Sequence, residues 1–146
     1  MMVTFCGHSE VLQIDNVKRW LFFTTQALIE QGANTFYLGG YGAFDSMAAS
    51  VLREQKKQFP NIQMILVLPY LNAFKDSSGY DSTIYPSLES VPPRYAISKR
   101  NQWMVDRADM VVAYVQHNWG GAAATLRYAR RKKKNIILYS ICQNKN

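Results

Sequence analysis

Three groups of glycine residues are the part of this chain best suited to hold an anionic ligand. Gly7 ends the first predicted strand, residues 39–42 (Gly-Gly-Tyr-Gly) follow the second, and residues 120–121 (Gly-Gly) lie just past the fourth. Glycine lets a backbone approach a ligand closely and presents amide groups to phosphate oxygens. Helices predicted to begin at Ala43 and Gly121 would direct positive dipole ends toward the same place. The pattern favours a phosphate-binding site; the alternative is that the glycines serve only as turns.

Side chains beside these glycines add polar chemistry to the predicted site. Asp45 falls in the first turn of the second predicted helix, where it could accept a ribose hydroxyl or simply stabilise the helix start. Arg100, followed by Asn101, could place a planar guanidinium on a phosphate or remain a solvated surface residue. His8 could donate to a phosphate or be a satisfied turn residue, and His117 has the same two alternatives.

The candidate residues form two groups. The ligand-binding candidates are glycines, polar side chains and their neighbours: Gly7, His8, Gly39, Gly40, Gly42, Asp45, Pro69, Arg100, Asn101, Gly120, Gly121 and Ala122. The candidates for stacking on a base are aromatic: Phe44, Tyr70 and Trp119.

Several common catalytic patterns are missing from the sequence. No Gly-x-Gly-x-x-Gly follows the first predicted strand and no Gly-Lys-Ser/Thr occurs, which argues against an ordinary NAD dehydrogenase and against an NTPase. No nucleophile-elbow pattern is present, and no Cys-x-x-Cys or His-x-x-x-His spacing indicates zinc. We therefore predict no metal, no cofactor and no catalytic triad.

The elements that must position these residues alternate between strand and helix. Short apolar runs predict five strands, and helical periodicity predicts four helices. The strands are residues 3–6, 35–38, 62–68, 110–115 and 136–140, and the helices are residues 15–31, 43–58, 94–107 and 121–133. With right-handed crossovers, this alternation predicts an α/β, three-layer, open parallel sheet of the Rossmann-like type. We expect strand order 3-2-1-4-5 and a single domain over residues 1–146, with ligands beyond the carboxyl ends of the strands.

A long irregular stretch is predicted from residue 70 to Pro93. It carries four aromatic residues among Asp, Ser, Gly and Pro: Tyr70, Phe74, Tyr80 and Tyr85. A loop of that length inside a compact domain is more often a lid or binding loop than a plain connection. We therefore expect an aromatic side chain of residues 70–85 to stack on the base of the ligand.

Composition limits the classes of protein to which the chain can belong. Its 146 residues are 48% hydrophobic and 18% charged, which is enough apolar content for a packed core. No apolar run approaches the roughly 20 residues that cross a bilayer, and no secretory signal is visible. Cys6 and Cys142 lie in strand-like runs and are expected to be reduced core residues. These features predict a cytoplasmic protein without a membrane partner.

Basic charge is concentrated near the C-terminus. The net charge is +7; residues 1–109 hold ten Lys/Arg and ten Asp/Glu, whereas residues 110–146 hold seven Lys/Arg and no acid. The basic block, residues 127–134, could bind nucleic-acid phosphates with an affinity that falls steeply in salt. The favoured alternative is that this block ends a helix, where cations interact well with the dipole. No stripe of stacking aromatic residues accompanies it.

Five segments, taken in order, form a specific set of motifs. They are Thr4-Phe5-Cys6-Gly7-His8, the segment from Phe36 to Asp45, Leu66-Val67-Leu68-Pro69-Tyr70, the segment from Pro92 to Val105, and Trp119-Gly120-Gly121-Ala122. Together they resemble the YpsA-like branch of the SLOG superfamily, which also includes the LOG phosphoribohydrolases and the DprA/Smf proteins. The resemblance covers nearly the whole chain. It implies a Rossmann-like fold, self-association and a site for nucleotide-derived ligands, and some SLOG domains in bacterial immunity sense ADP-ribose-type signals made from NAD.

The same resemblance exposes a departure from the LOG enzymes. Those enzymes cleave a base from a nucleoside 5′-monophosphate with an arginine, which Arg100 matches by position, and a glutamate in Pro-Gly-Gly-x-Gly-Thr-x-x-Glu. Residues 119–128 of this chain contain no acid. Glycosidic cleavage needs a carboxylate to stabilise oxocarbenium charge or activate water, so the LOG reaction is disfavoured here. Asp45, Glu89 or Asp109 could supply a carboxylate from another loop.

The sequence therefore leads to one favoured function and two alternatives. We expect a homo-oligomer that is a binding protein rather than an enzyme, and that senses or sequesters a nucleotide-derived ligand such as an ADP-ribose-type or cyclic nucleotide signal. The first alternative is a nucleoside 5′-monophosphate N-glycosidase (phosphoribohydrolase) or a deoxyribosyltransferase-like enzyme, with Arg100 and Asp45 as candidate catalytic residues. The second alternative is nucleic-acid binding through residues 127–134.

Overall fold

Strands and helices alternate along the chain, as the sequence predicts. The computed structural model describes residues 1–71 and 77–140. In this part of the chain the strands are β1 (Met2–Gly7), β2 (Thr35–Leu38), β3 (Gln63–Val67), β4 (Ser82–Ile84), β5 (Met110–Tyr114) and β6 (Asn135–Leu138). The α-helices are α1 (Ile14–Glu30), α2 (Ala43–Gln58), α3 (Ala96–Arg107) and α4 (Gly120–Arg131). A short 3-10 turn, Pro93–Tyr95, leads into α3.

All strands are parallel and belong to one sheet of order β4-β3-β2-β1-β5-β6. The five strands predicted from the sequence take the predicted order 3-2-1-4-5, so the open, Rossmann-like α/β fold is confirmed. The order reverses at β1, which pairs with β2 on one side and β5 on the other. The loops that follow these three strands therefore meet at one edge of the sheet.

The short strand β4 corrects the prediction that residues 70–93 are wholly irregular. Its residues Ser82–Ile84 pair with β3 at the sheet edge. The preceding Asp81 carboxylate accepts the backbone N–H of Met64 at 2.7 Å and binds Lys56 Nζ at 2.9 Å. The strand depends on bonds to residues that are distant in the sequence, so the local hydrophobic pattern of this segment does not indicate it. Phe74 lies outside the described residues.

Two hydrophobic layers enclose the sheet. Helices α1 and α2 pack together on one face with Phe36, Leu21 and Leu52 fully buried, and α3 and α4 pack on the other around Val111 and Ala129. Strand β1 supplies both layers because its side chains alternate between faces. Because helices pack on both faces of the sheet, the carboxyl ends of β1, β2 and β5 are held in place relative to one another.

Cys6 lies in the core, as the sequence predicts. Cys6 is buried and free, and its thiol donates to the Ala122 carbonyl at 3.1 Å. Burial raises the pKa of this thiol to about 12, so the group is unreactive at neutral pH. Cys142 lies outside the described residues. Within residues 1–71 and 77–140, no helix has the length and apolar character to cross a membrane.

Candidate functional site

A cavity of about 660 Å³ opens at the carboxyl ends of β1, β2 and β5, bounded by the start of α4 and one face of α3. Its volume lies within the range of small-molecule binding pockets. Most of the predicted site residues line it together: Gly7, His8, Gly39, Asp45, Arg100, Asn101, Trp119, Gly120, Gly121 and Ala122. The convergence follows from the parallel topology, since these residues come from four separate parts of the sequence.

Two of the predicted base-stacking residues are placed differently. The ring of Phe44 is fully buried and packs against Phe5 and Tyr114, with ring centroids 6.5 and 5.7 Å away. It is therefore a core residue and offers no face to a ligand. Tyr70 does not line the cavity, and its hydroxyl donates to the Pro93 carbonyl at 2.9 Å. Its neighbour Pro69 also lies outside the cavity lining.

The loop between β2 and α2 is occupied by its own chain. The Gly40 amide donates to the Asp45 carboxylate, and Gly40 itself has φ +73°. A Cβ atom at Gly40 would lie 2.7 Å from Leu66 Cδ1. Gly40 and Gly42 thus shape the back of the loop, and neither lines the cavity.

The first amides of α2 are also engaged. The Ala43 N–H donates to the Ser9 carbonyl at 2.9 Å, and the Phe44 N–H donates to the His8 carbonyl at 3.4 Å. These bonds satisfy donors that a helix start leaves without intrahelical partners. The loop after β1 therefore caps α2, and this helix start is closed to an anion.

Arg100 is a buried residue rather than a solvated surface one. It is 4% exposed, and its Nη1 donates to the carbonyls of Gly39 and Val67, both at 2.9 Å. Its Nε donates to the Asn101 side-chain oxygen at 2.9 Å. The guanidinium thereby ties the ends of β2 and β3 to α3 while it lines the cavity.

The charges of Arg100 and Asp45 influence one another. Burial raises the pKa of Asp45, while hydrogen bonds from backbone amides, above all that of Gly40, and the charge of Arg100 oppose the rise. Burial lowers the pKa of Arg100, and Asp45 opposes that change. The pair therefore compensates two charges that burial alone would disfavour.

The start of α4 differs from the start of α2. Gly120 has φ +88°, and α4 has neither an acidic residue in its first turn nor a side-chain cap. Within the described residues, no acceptor is found for the amides of Gly120, Gly121 and Ala122. A Cβ atom at Gly121 would meet nothing within 4 Å. This helix start is open toward the cavity and carries the positive end of its dipole.

Two histidines and a tryptophan stack at the rim of the cavity. The His8 and His117 ring centroids are 3.8 Å apart, and those of His117 and Trp119 are 3.4 Å apart. The backbone N–H of Gln116 donates to His8 Nε2 at 2.8 Å. Removal from water and the adjacent His117 lower the pKa of His8. The Gln116 bond requires an unprotonated Nε2, so His8 is neutral here with its proton on Nδ1.

Two carboxylates line the cavity, those of Asp45 and Glu10. The other carboxylates considered from the sequence lie elsewhere. The Asp109 carboxylate accepts the Met2 amide at 2.8 Å, at the start of β1 and opposite to the cavity. Glu89 does not line the cavity.

Sequence reasoning missed several lining residues, chief among them Ser9, Glu10, Leu12, Tyr41, Ile97, Met104, Tyr114, Gln116 and Thr125. The missed residues in the loop between β1 and α1 could have been predicted, because the loops that follow parallel strands form the binding site in sheets of this type. Ile97, Arg100 and Met104 share one face of α3 by their spacing of three and four residues. Trp103 does not line the cavity and packs against Tyr37, with ring centroids 5.5 Å apart.

Most of the basic block lies at the far end of α4 from the cavity. Its first residue, Arg127, reaches back toward the start of the helix, where its Nη1 donates to the Asn118 carbonyl at 3.0 Å. This helix of 12 residues spans about 18 Å. Beyond its end, Lys134 Nζ donates to the carbonyls of Asp106 and Ala108 at 3.1 and 3.0 Å, beside the start of β5. The block thus forms a helix end and its continuation, as the favoured interpretation of the sequence holds.

Three solved structures share this fold. The protein TM1055 has a TM-score of 0.64 at 15% identity, with 92% of this chain and 71% of that chain covered. DNA processing protein A from Helicobacter pylori, which binds single-stranded DNA, has a TM-score of 0.66 at 16% identity, covering 94% of this chain and 64% of that chain. The Moco carrier protein from Chlamydomonas reinhardtii has a TM-score of 0.59 at 17% identity, covering 94% and 74%.

These matches establish the fold. The three proteins share the Rossmann-like fold with this chain, which is the fold that the resemblance implies. No protein-family model matches the chain, and no curated protein matches it.

Proposed function

We propose that this chain binds a phosphorylated, nucleotide-derived ligand in the cavity at the strand ends, with a phosphate on the start of α4. The observation that carries the proposal is the set of open amides at Gly120, Gly121 and Ala122, which face a cavity that Arg100 also lines. Backbone amides at a helix start and a cationic side chain are the groups that proteins use to hold phosphate.

The asymmetry between the two helix starts supports this position. The start of α2 already has the Asp45 carboxylate on its loop and loop carbonyls on its amides. A phosphate there would face an internal anion, whereas α4 has no acid in its first turn. Gly40 and Gly42, which the sequence suggests as phosphate ligands, lie outside the cavity lining, and the carbonyl of Gly39 is held by Arg100. Asp45 remains a candidate partner for a ribose hydroxyl.

The experiment that tests this proposal is thermal unfolding with defined ligands. The panel comprises inorganic phosphate, ribose 5-phosphate, AMP, NAD, ADP-ribose and cyclic ADP-ribose isomers. A ligand at 100 times its dissociation constant adds about 2.7 kcal/mol, which shifts the melting temperature by roughly 5–10 °C for a chain of this size. No shift with any phosphorylated compound at millimolar concentration would overturn the proposal.

A matched pair of variants tests whether the phosphate binds at the start of α4. Gly121→Asp puts a carboxylate beside the open amides, and Gly121→Asn has the same shape without the charge. An acid at a helix start favours the helix, so the Asp variant should fold normally. Because like charges placed together cost several kcal/mol, we expect the Asp variant to bind phosphorylated ligands roughly tenfold or more weakly than the Asn variant. Equal affinities would place the phosphate elsewhere.

An N-glycosidase is the second candidate, favoured by the two carboxylates of Asp45 and Glu10 in the cavity lining. Either could stabilise positive charge at the sugar or activate water. Chromatography of AMP after long incubation tests this candidate. Release of adenine that Asp45→Asn or Glu10→Gln abolishes would support hydrolysis. Transfer of the sugar of dAMP to an added base, with release of adenine, would indicate a deoxyribosyltransferase-like reaction. Stabilisation without any product would support the binding protein.

Three finer features remain part of the proposal. A binding protein of this kind would sequester its ligand or pass the signal to a partner. We also propose that it acts in the cytoplasm as a homo-oligomer, which light scattering of the purified chain would test. Binding of nucleic acid through residues 127–134 is the remaining alternative, and an affinity for a single-stranded oligonucleotide that falls steeply in salt would support it.

A further inference from the structure

The stack of His8, His117 and Trp119 has one closed end and one open end. At the closed end, the edge of Tyr114 meets His8 with ring centroids 5.8 Å apart, and the Gln116 amide holds His8 Nε2 at 2.8 Å. At the open end, Trp119 is 59% exposed. The ring planes of His8 and His117 are nearly parallel, with an angle of 14° between them. The ring planes of His117 and Trp119 differ by 24°.

Such a stack is a preorganised platform. Trp119 is positioned by His117 on its inner face, so its ring need not be ordered when a further ring arrives. The exposed ring of Trp119 also lines the cavity, so covering its outer face with a ligand ring would remove apolar surface from water. Trp119 also directly precedes Gly120 and Gly121, so the platform and the open amides are consecutive in the chain.

We propose that the outer face of Trp119 is the base-binding subsite of the cavity, and that the ligand class is therefore nucleotides rather than sugar phosphates. The proposal rests on the phosphate site argued above. According to this proposal the base binds to the loop between β5 and α4, and not to an aromatic side chain of residues 70–85. A planar heterocycle becomes the fourth ring of the stack while the phosphate of the same molecule binds the amides that follow.

The test compares ligands with and without a base on the full chain. AMP and ADP-ribose carry adenine, and ribose 5-phosphate does not; each is titrated into the unmodified protein, Trp119→Ala and Trp119→Phe by calorimetry. Base stacking on an aromatic residue corresponds to roughly a 5- to 150-fold change in affinity. We expect Trp119→Ala to weaken AMP and ADP-ribose by that factor and to leave ribose 5-phosphate unchanged, while Trp119→Phe retains most of the affinity.

Fluorescence gives an independent readout. The chain has three tryptophans, of which Trp20 and Trp103 are half-buried and Trp119 is exposed. AMP should quench the emission of the unmodified protein and leave that of Trp119→Phe unquenched, and ribose 5-phosphate should quench neither. Unchanged melting temperatures in the absence of ligand would show that the variants fold, as expected for an exposed side chain.

The outcomes separate the two proposals. If all three compounds bind equally well and Trp119→Ala changes none of them, the base subsite is wrong and the phosphate site stands. The same conclusion holds if Trp119→Ala weakens ribose 5-phosphate as much as AMP, because the residue would then serve the phosphate region as a whole. If no phosphorylated compound binds the unmodified protein, both proposals fail.

Discussion

The loops after β2 and after β5 both contain paired glycines, yet they differ in what already occupies them. In the first, the Asp45 carboxylate holds the Gly40 amide and Arg100 holds the Gly39 carbonyl at 2.9 Å. In the second, the described residues offer no acceptor for the amides of Gly120 and Gly121. The first loop binds its own chain, whereas the second is left open to a ligand.

This difference teaches that a glycine-rich turn does not by itself identify a phosphate site. A turn is open to a phosphate only if no acidic side chain of the same protein already accepts its amides. Asp45 does so in the turn before α2, and α4 has no acid in its first turn. Variants that affect the two loops differently are therefore the sharpest tests of this difference.

The largest effect is expected from Arg100→Ala. The change leaves the partly buried Gly39 carbonyl and the buried Val67 carbonyl without their donor, and the charge of Asp45 without its compensation. Breaking a buried charged network in this way costs about 3–5 kcal/mol in the free energy of unfolding. Urea denaturation measures it, with Arg130→Ala as control, since that exposed arginine should change stability by less than about 0.5 kcal/mol. A loss below about 1 kcal/mol for Arg100→Ala would show that the first loop does not depend on this residue.

A matched pair of glycine substitutions contrasts the loops directly. Gly40→Ala should destabilise the fold by about 1–3 kcal/mol, because φ is +73° and the new Cβ would lie 2.7 Å from Leu66. Gly121→Ala should leave stability unchanged or raise it by about 0.4–1 kcal/mol, because nothing lies within 4 Å of the new Cβ. Melting temperatures of both variants measure the contrast. Similar losses at both positions would mean that the loops are equally constrained.

Much of the fold was predictable from the sequence because its signals are local. Helix α2 was predicted at residues 43–58, which are its observed bounds, since Ala48, Val51 and Leu52 mark its buried face and Pro60 ends the pattern. The strand order followed from the alternation of strand and helix. β4 was not predictable, because Asp81 holds it through Met64 and Lys56, which are distant in the sequence.

The site was predictable in place and only partly in detail. Glycines after parallel strands located the cavity correctly. The sequence did not reveal that the Asp45 carboxylate accepts the Gly40 amide, because that contact depends on side-chain orientation within one helical turn. Phe44 fits the inward face of the helix pattern and not its alternative role as a base-stacking residue. Nor did it reveal that His8 meets His117, which lies more than 100 residues away.

A smaller effect on stability is expected from the contact of His8 with Gln116 and His117, which joins the loop after β1 to the loop after β5. Removal from water and the neighbouring His117 lower the pKa of His8 below its unfolded value of 6.5. The folded state therefore favours the neutral form, so this contribution to stability is complete above pH 6.5 and is lost as the pH falls toward the lowered pKa. We expect unfolding by urea at pH 8 and pH 5 to show a larger loss for the unmodified protein than for His8→Gln, which can still accept the Gln116 N–H.

The comparison with His8→Gln isolates the histidine. The raised pKa of Asp45 acts in the opposite direction, since its contribution increases as the pH falls, and it is common to both proteins. An identical pH dependence for the two proteins would mean that the His8 contact with Gln116 and His117 does not couple protonation to stability.

The smallest effect is expected from reversing charge in the basic block with Lys132→Glu and Lys133→Glu together. Both residues are exposed and follow α4, whose length of about 18 Å separates them from the open amides at its start. That distance exceeds the Debye length of about 8 Å at physiological ionic strength, so the affinity for AMP should change by no more than about twofold. A labelled single-stranded oligonucleotide provides the complementary measurement. If it binds the unmodified protein with an affinity that falls steeply in salt, and this double variant abolishes the binding while AMP is unaffected, then the two ends of α4 carry separate functions.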